Sequence, residues 1–211
     1  MDLPTGNEQF FRMSVNSFDT DTVLKNAARQ REQRKFDDML IIDVDSHHYE
    51  SESMREIVKY MEDPVLKQLA QSSTQVSQRG SMFALGRVGY QDVGGRVTRY
   101  PLRKLEETPK DGVHRDVHLS HKWMDAVGVD YTTMFPTPML GLAMHPQPEV
   151  EVNLARAYNT WLTEEVLTGS SRVKSMLYLP FNDHNAAYKM VQDFGDKPGV
   201  IGFMITSVRH K

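Results

Sequence analysis

Short apolar, β-branched runs alternate along the chain with longer stretches whose apolar residues recur at helical spacing. Met39-Leu-Ile-Ile-Asp-Val is the first such run and predicts a strand buried on both faces. Asp130-Tyr-Thr-Thr-Met-Phe-Pro predicts a second strand, Arg172 to Leu179 a third closed by Pro180, and Val200 to Val208 a fourth. Helical patterns lie between them. Met54 to Ala70 reads as helical, and His114 to Val127 reads as a helix stopped by Gly128. Glu149 to Leu167 places Val150, Leu154, Tyr158, Trp161 and Leu162 on one helix face. Asp183 caps a last helix with Ala187, Met190, Val191 and Phe194 on one face and Gly195 at its end.

Alternation of this kind predicts parallel strands joined by crossover helices, an α/β architecture. Two segments stand apart from it. Residues 1–37 form an N-terminal arm, in which Asp19 to Asp38 is rich in charge and helix formers. The expectation there is a surface helix, capped by Asp19 or Thr20, packed on the body or on a second subunit. Its Arg29, Arg31, Arg34 and Lys35 read as a solvated helix face rather than an RNA-binding arm. Residues 72–112 form a Gly-, Ser- and Arg-rich excursion within the body, 38–211.

Composition narrows the function classes. The 211 residues include no cysteine, which removes disulfides, thiolate metal sites and cysteine nucleophiles. With 25 basic and 28 acidic residues the net charge is -3, which argues against a nucleic-acid partner. The longest apolar runs, Met39 to Ile42 and Val200 to Ile205, fall far short of the ~20 residues of a membrane span. The opening MDLPTGNEQF has no apolar leader region, so the expected location is cytoplasmic. Gly94-Gly95 lacks the spacing of a nucleotide-binding loop, and no serine sits in a G-x-S-x-G elbow. His114, His118 and His121 share a helix face at i, i+4 and i+7, but the glutamate of a zinc-binding HExxH is absent.

The densest chemistry is Asp43-Val-Asp-Ser-His-His-Tyr-Glu50, at the C-terminal end of the first body strand. That end of a parallel α/β sheet is where ligands bind. Side chains two apart on a strand point the same way, so Asp45 and His47 are expected to converge. One carboxylate oxygen and one imidazole nitrogen suit a borderline divalent cation. Asp43 is expected one layer deeper on the same face, with His48 and Glu50 in the turn that leaves the strand. His145, in the proline-flanked loop after the second strand, faces the same end and is a candidate substrate contact. Arg87, Arg96 and Arg99 of the excursion are candidate carboxylate holders. Taken bare, the D-x-D-x-H pattern also fits residues that cap the next helix.

The stretch IIDVDSHHYE resembles the opening strand of the amidohydrolase-related metal-dependent enzymes, the family of the aminocarboxymuconate-semialdehyde decarboxylase type. MDAVGVDYTTMFPTP, ARAYNTWLTEEV, RVKSMLYLPFNDHNAAYKMVQDFG and GVIGFMITS resemble later segments of that family in the same order. The resemblance covers about residues 38–208. It implies a partial (β/α)8 TIM barrel, about the first four βα units following the N-terminal arm. It implies one divalent metal ion, zinc or manganese, with Asp45 and His47 as the first-strand ligands. It also implies the main acid or base in a C-terminal half that supplies the remaining strands, while His48 and Glu50, by their place at the end of the first strand, are candidate substrate contacts. The activity implied is hydrolysis of a small carbonyl or carboxylate substrate by metal-activated water. The alternatives are non-oxidative decarboxylation of a small aromatic or enol acid, or an inactive scaffold that keeps the fold. Its expected partners are a small oxygenated or aromatic acid, and either a second copy in a homo-oligomer or the C-terminal half.

Overall fold

The computed structural model describes residues 20–48, 53–76 and 107–207. Glu50, Arg87, Arg96, Arg99 and most of the 72–112 excursion lie outside the described residues. The arm helix α1 spans Thr20–Gln33, followed by a 3-10 turn at Phe36–Asp38. Strand β1 spans Ile42–His48. Helix α2 (Met54–Ile57) runs on into a 3-10 turn at Val58–Tyr60, and α3 covers Pro64–Val76. Helix α4 (Arg115–Val127) leads into β2 (Tyr131–Pro136), then a 3-10 segment at Pro138–Met144. Helix α5 (Pro148–Trp161) continues as a π-helical turn at Leu162–Val166 before β3 (Val173–Tyr178). Helix α6 (His184–Phe194) precedes β4 (Val200–Met204). Among the described residues, no helix is long and apolar enough to cross a membrane.

The four strands form one parallel sheet in the order β1-β2-β3-β4. When strand order never reverses, right-handed crossovers put every connecting helix on the same face. Burial follows that rule. On β3, Val173, Ser175 and Leu177 are fully buried, while Lys174 and Met176 between them are only half-buried. On the half-covered side of the sheet, Ile42 and its register partner Tyr131 are exposed. The core lies between sheet and helices and centres on Tyr158 and Trp161 of α5, both at 0% exposure.

Sequence patterning anticipates most of these elements, with three corrections. The first strand lies three residues further along than the apolar run suggests, and it is not buried on both faces. Met39, Leu40, Ile42 and Val44 are 53%, 69%, 50% and 71% exposed, because among the described residues β1 is an edge strand without a helix on one side. The helix expected over 54–70 is interrupted, since Asp63 accepts from the amides of Val65 and Leu66 and starts α3 afresh at Pro64. Val191 is 40% exposed and does not share the buried face of Ala187, Met190 and Phe194.

The arm helix packs on α4. Lys122 pairs with Asp21 at 2.8 Å, and Arg31 donates both to Asp37 and to the Asp125 carbonyl. Gly128 ends α4 with φ of 80°, and a Cβ there would meet Arg31 Cγ and Cδ at 3.1 Å. Gly128→Ala should therefore cost about 1–2 kcal/mol for the left-handed backbone alone. Urea denaturation should show that loss, and an unchanged midpoint would contradict this role of the cap.

Candidate functional site

The C-terminal end of β1 carries two histidines in succession, and they go to opposite sides of the sheet. His47 is half-exposed, with a side chain 23% accessible, whereas His48 is 2% accessible. A bulge precedes them. Asp43 stands opposite Thr132, and Ser46 stands opposite Met134, the place that Asp45 would take in an unbroken ladder. One extra residue is thereby accommodated between Asp43 and Ser46, which re-aims the side chains beyond it.

Asp45 turns outward at the bulge, with its side chain 76% accessible. The Asp43 carboxylate accepts from the Asp45 amide at 3.1 Å and braces the backbone there. Asp43 thus falls in the register of Ser46 and His48, which corrects the expectation that it lies beneath Asp45 and His47 on the same face.

Asp45 and His47 do come together. Asp45 Oδ1 lies 3.4 Å from His47 Nε2. The other ring nitrogen, Nδ1, is 2.8 Å from the Thr137 hydroxyl, just past the end of β2. Phe135 lies beside the imidazole, with ring centroids 4.7 Å apart, and the Thr137 amide donates to the His48 carbonyl at 2.9 Å. The end of β2 therefore holds the end of β1 through both backbone and side chain. A carboxylate oxygen and an imidazole nitrogen this close are a donor set that fits zinc or manganese. Among the described residues no group of three His, Cys, Asp or Glu side chains gathers around a point, so a cation held by Asp45 and His47 would need further donors.

His48 sits in the strand rather than in the turn expected for it, and it faces the helices. Its Nε2 donates to Asp116 at 2.9 Å, its Nδ1 meets the Tyr158 hydroxyl at 3.2 Å, and its ring stacks on Trp161 at 5.6 Å. The network extends outward. The Asp116 amide donates to His114 Nδ1, so the His114 proton sits on Nε2 and is donated to Glu56 at 2.9 Å. Trp161 Nε1 donates to the same Glu56 oxygen at 3.1 Å. These bonds join β1, α2, α4 and α5 behind the sheet. No sequence motif marks this network. Its one local signal is the polar character of His48, Asp116 and Tyr158 at positions that must face the core.

The remaining sequence candidates are dispersed. His145 is buried at 8% exposure, and its Nδ1 accepts from the Gln147 amide in its own loop. His114, His118 and His121 each have a separate partner: Glu56, Asp111 and Ser170. Glu151, in the first turn of α5, is a further buried carboxylate that sequence does not single out. It is fully buried, and its Oε1 accepts from the Tyr178 hydroxyl at 3.0 Å. Burial pushes its carboxyl above the ordinary range, against the pull of hydrogen bonds from Tyr178 and Asn182. The hydrogen bond from His114 holds the carboxyl of Glu56 below that range.

In comparisons with known proteins, no family model matches the chain, and no curated protein matches it.

Removing one member of the His48–Asp116 pair strands a buried partner, so His48→Ala should cost about 3–5 kcal/mol in urea denaturation. A loss below about 1 kcal/mol, the scale of an exposed pair, would contradict the pairing. Glu151 has a raised carboxyl, so the fold is favoured by its protonated form and loses stability as pH rises through its folded pKa. Glu151→Gln should then raise the urea midpoint at pH 7 and flatten its dependence on pH. Glu56 has the opposite sign, contributing above its ordinary value of 4.5 and losing that contribution as pH falls through its lowered folded value. In Glu56→Gln the acid limb of the stability profile should be shallower; an identical limb would contradict the role of the His114 bond.

Proposed function

We propose that the chain is part of a metal-dependent enzyme of the amidohydrolase-related type, in which Asp45 and His47 hold one divalent cation. The observation that carries this reading is the 3.4 Å approach of Asp45 Oδ1 to His47 Nε2 at the C-terminal end of β1. The setting supports it. Four parallel strands in unbroken order, with helices packed behind them, are compatible with consecutive βα units of a closed barrel. The opposite face of the sheet leaves Ile42 and Tyr131 uncovered, as expected of residues that line a barrel interior completed by further strands.

The ion, when bound, lowers the pKa of a coordinated water and polarises a substrate carbonyl. The chain's own residues have separate tasks. Asp45 supplies negative charge that offsets the cation, and its exposure leaves it open to solvent and substrate. His47 supplies a neutral nitrogen donor, held by Phe135 and by the end of β2. His48 is not available for this task, because both its ring nitrogens are engaged behind the sheet. The reaction class this site supports is hydrolysis of a small carbonyl or carboxylate compound.

Titration with zinc and with manganese tests the reading. The unaltered protein should bind one equivalent, and Asp45→Ala and His47→Ala should each weaken binding by more than the roughly 10–100-fold typical of outer-shell residues. Equal affinity in the unaltered protein and both variants would overturn it.

A further inference from the structure

At the opposite end of the sheet from Asp45 and His47, where the chain enters β3, Ser170 makes three hydrogen bonds. Its Oγ accepts from the backbone amides of Arg172 and Val173, at 3.1 Å each. A hydroxyl has two lone pairs and one proton. The two amides take both lone pairs, so the proton is what remains for the third neighbour, His121 Nε2 of α4, 2.7 Å away. His121 therefore accepts through Nε2, and its own proton sits on Nδ1. A second proton on the ring would turn Nε2 into a donor that faces an oxygen with no lone pair left for it. Protonation of His121 and this contact oppose each other.

We infer that Ser170 and His121 form a pH-sensitive latch, in which neutral His121 holds the segment entering β3 against α4 and protonated His121 releases it. The packing there is close enough to transmit the change. A Cβ at Gly169 would meet Val113 Cγ1 at 3.1 Å and Val117 Cγ2 at 3.3 Å. Once His121 becomes a donor, Ser170 Oγ must give up either the imidazole or an amide that opens β3. Three charged or titratable groups face the ring. Arg172 of the entering segment and His118 of α4 disfavour a positive imidazole, whereas Asp125 of α4 favours it. Burial is the largest influence, and the balance holds His121 below the ordinary histidine value of 6.5. A second clasp is indifferent to this proton. Arg172 donates to the Asp130 and Val129 carbonyls at 3.0 and 2.8 Å and keeps its charge throughout, so release is local to Ser170 and the amides it caps. The latch does not rest on the metal reading.

The test follows amide hydrogen exchange and imidazole nitrogen NMR of the full chain across the histidine range of pH. The folded value of His121 is lowered, so the contact contributes fully above 6.5 and is lost as pH falls from there to the folded value. After correction for intrinsic exchange, protection at the Arg172 and Val173 amides should fall about tenfold for each pH unit in that window and level off below it. His121→Gln keeps an acceptor but does not titrate, and its protection at these amides should be the same at every pH. In the unaltered protein, Nε2 of neutral His121 should be unprotonated, and Ser170→Ala should move the His121 titration upward. Protection that ignores pH in the unaltered protein overturns the inference. So does protection that still follows pH in His121→Gln, a protonated Nε2 in the neutral ring, or an unmoved titration in Ser170→Ala. Should Ser170→Ala fail to fold, exchange in the unaltered protein and in His121→Gln decides the matter.

Discussion

Two successive side chains of a β-strand must leave on opposite faces, and at the end of β1 those two are His47 and His48. The surroundings of both imidazoles follow from that division. One imidazole enters the helix layer, where a carboxylate, a phenol and an indole surround it. The other stays on the half-covered side of the sheet, beside an exposed aspartate. The bulge between Asp43 and Ser46 determines which histidine goes where, because moving the register by one residue would exchange the two faces. The buried partners make the choice costly to reverse. A one-residue slip would carry His48 to the open face and leave Asp116 in the core without its imidazole.

The same division couples stability to the site. The network from His48 through Asp116 and His114 to Glu56 links β1 to α2 and α4, while Trp161 and Tyr158 bring in α5. Buried polar groups of this kind are stabilising only when each has a partner. With β1 anchored from behind, its other side can present polar groups without relying on apolar cover. Ile42, Val44 and Asp45 are all well exposed, yet the strand keeps its pairing with β2.

Periodicity and strand-like runs make α4, α5, α6 and three of the strands legible in the sequence, because helix faces such as Val150, Leu154, Tyr158 and Trp161 are buried as their spacing requires. Capping chemistry located Asp183 and Gly128 for the same reason: both act within a few residues of themselves. The meeting of Asp45 with His47 was also legible, since it needs only neighbours on one strand. What stayed hidden depends on distant partners. The bulge that moves Asp43 is set by pairing with β2, and the burial of His48 is set by Asp116 and Tyr158, 68 and 110 residues away. Apolar character alone misled at Met39 to Val44, where a run that reads as doubly buried is an edge strand with one face uncovered.

The central claim is that Asp45 and His47 form the two-residue nucleus of a divalent-cation site. The most direct measurement is anomalous X-ray scattering at the zinc absorption edge from crystals of the full chain grown with zinc. The predicted result is a peak within bonding distance of both Asp45 Oδ1 and His47 Nε2. A peak only at the His114, His118 or His121 positions, or none while zinc is present at millimolar concentration, would contradict it.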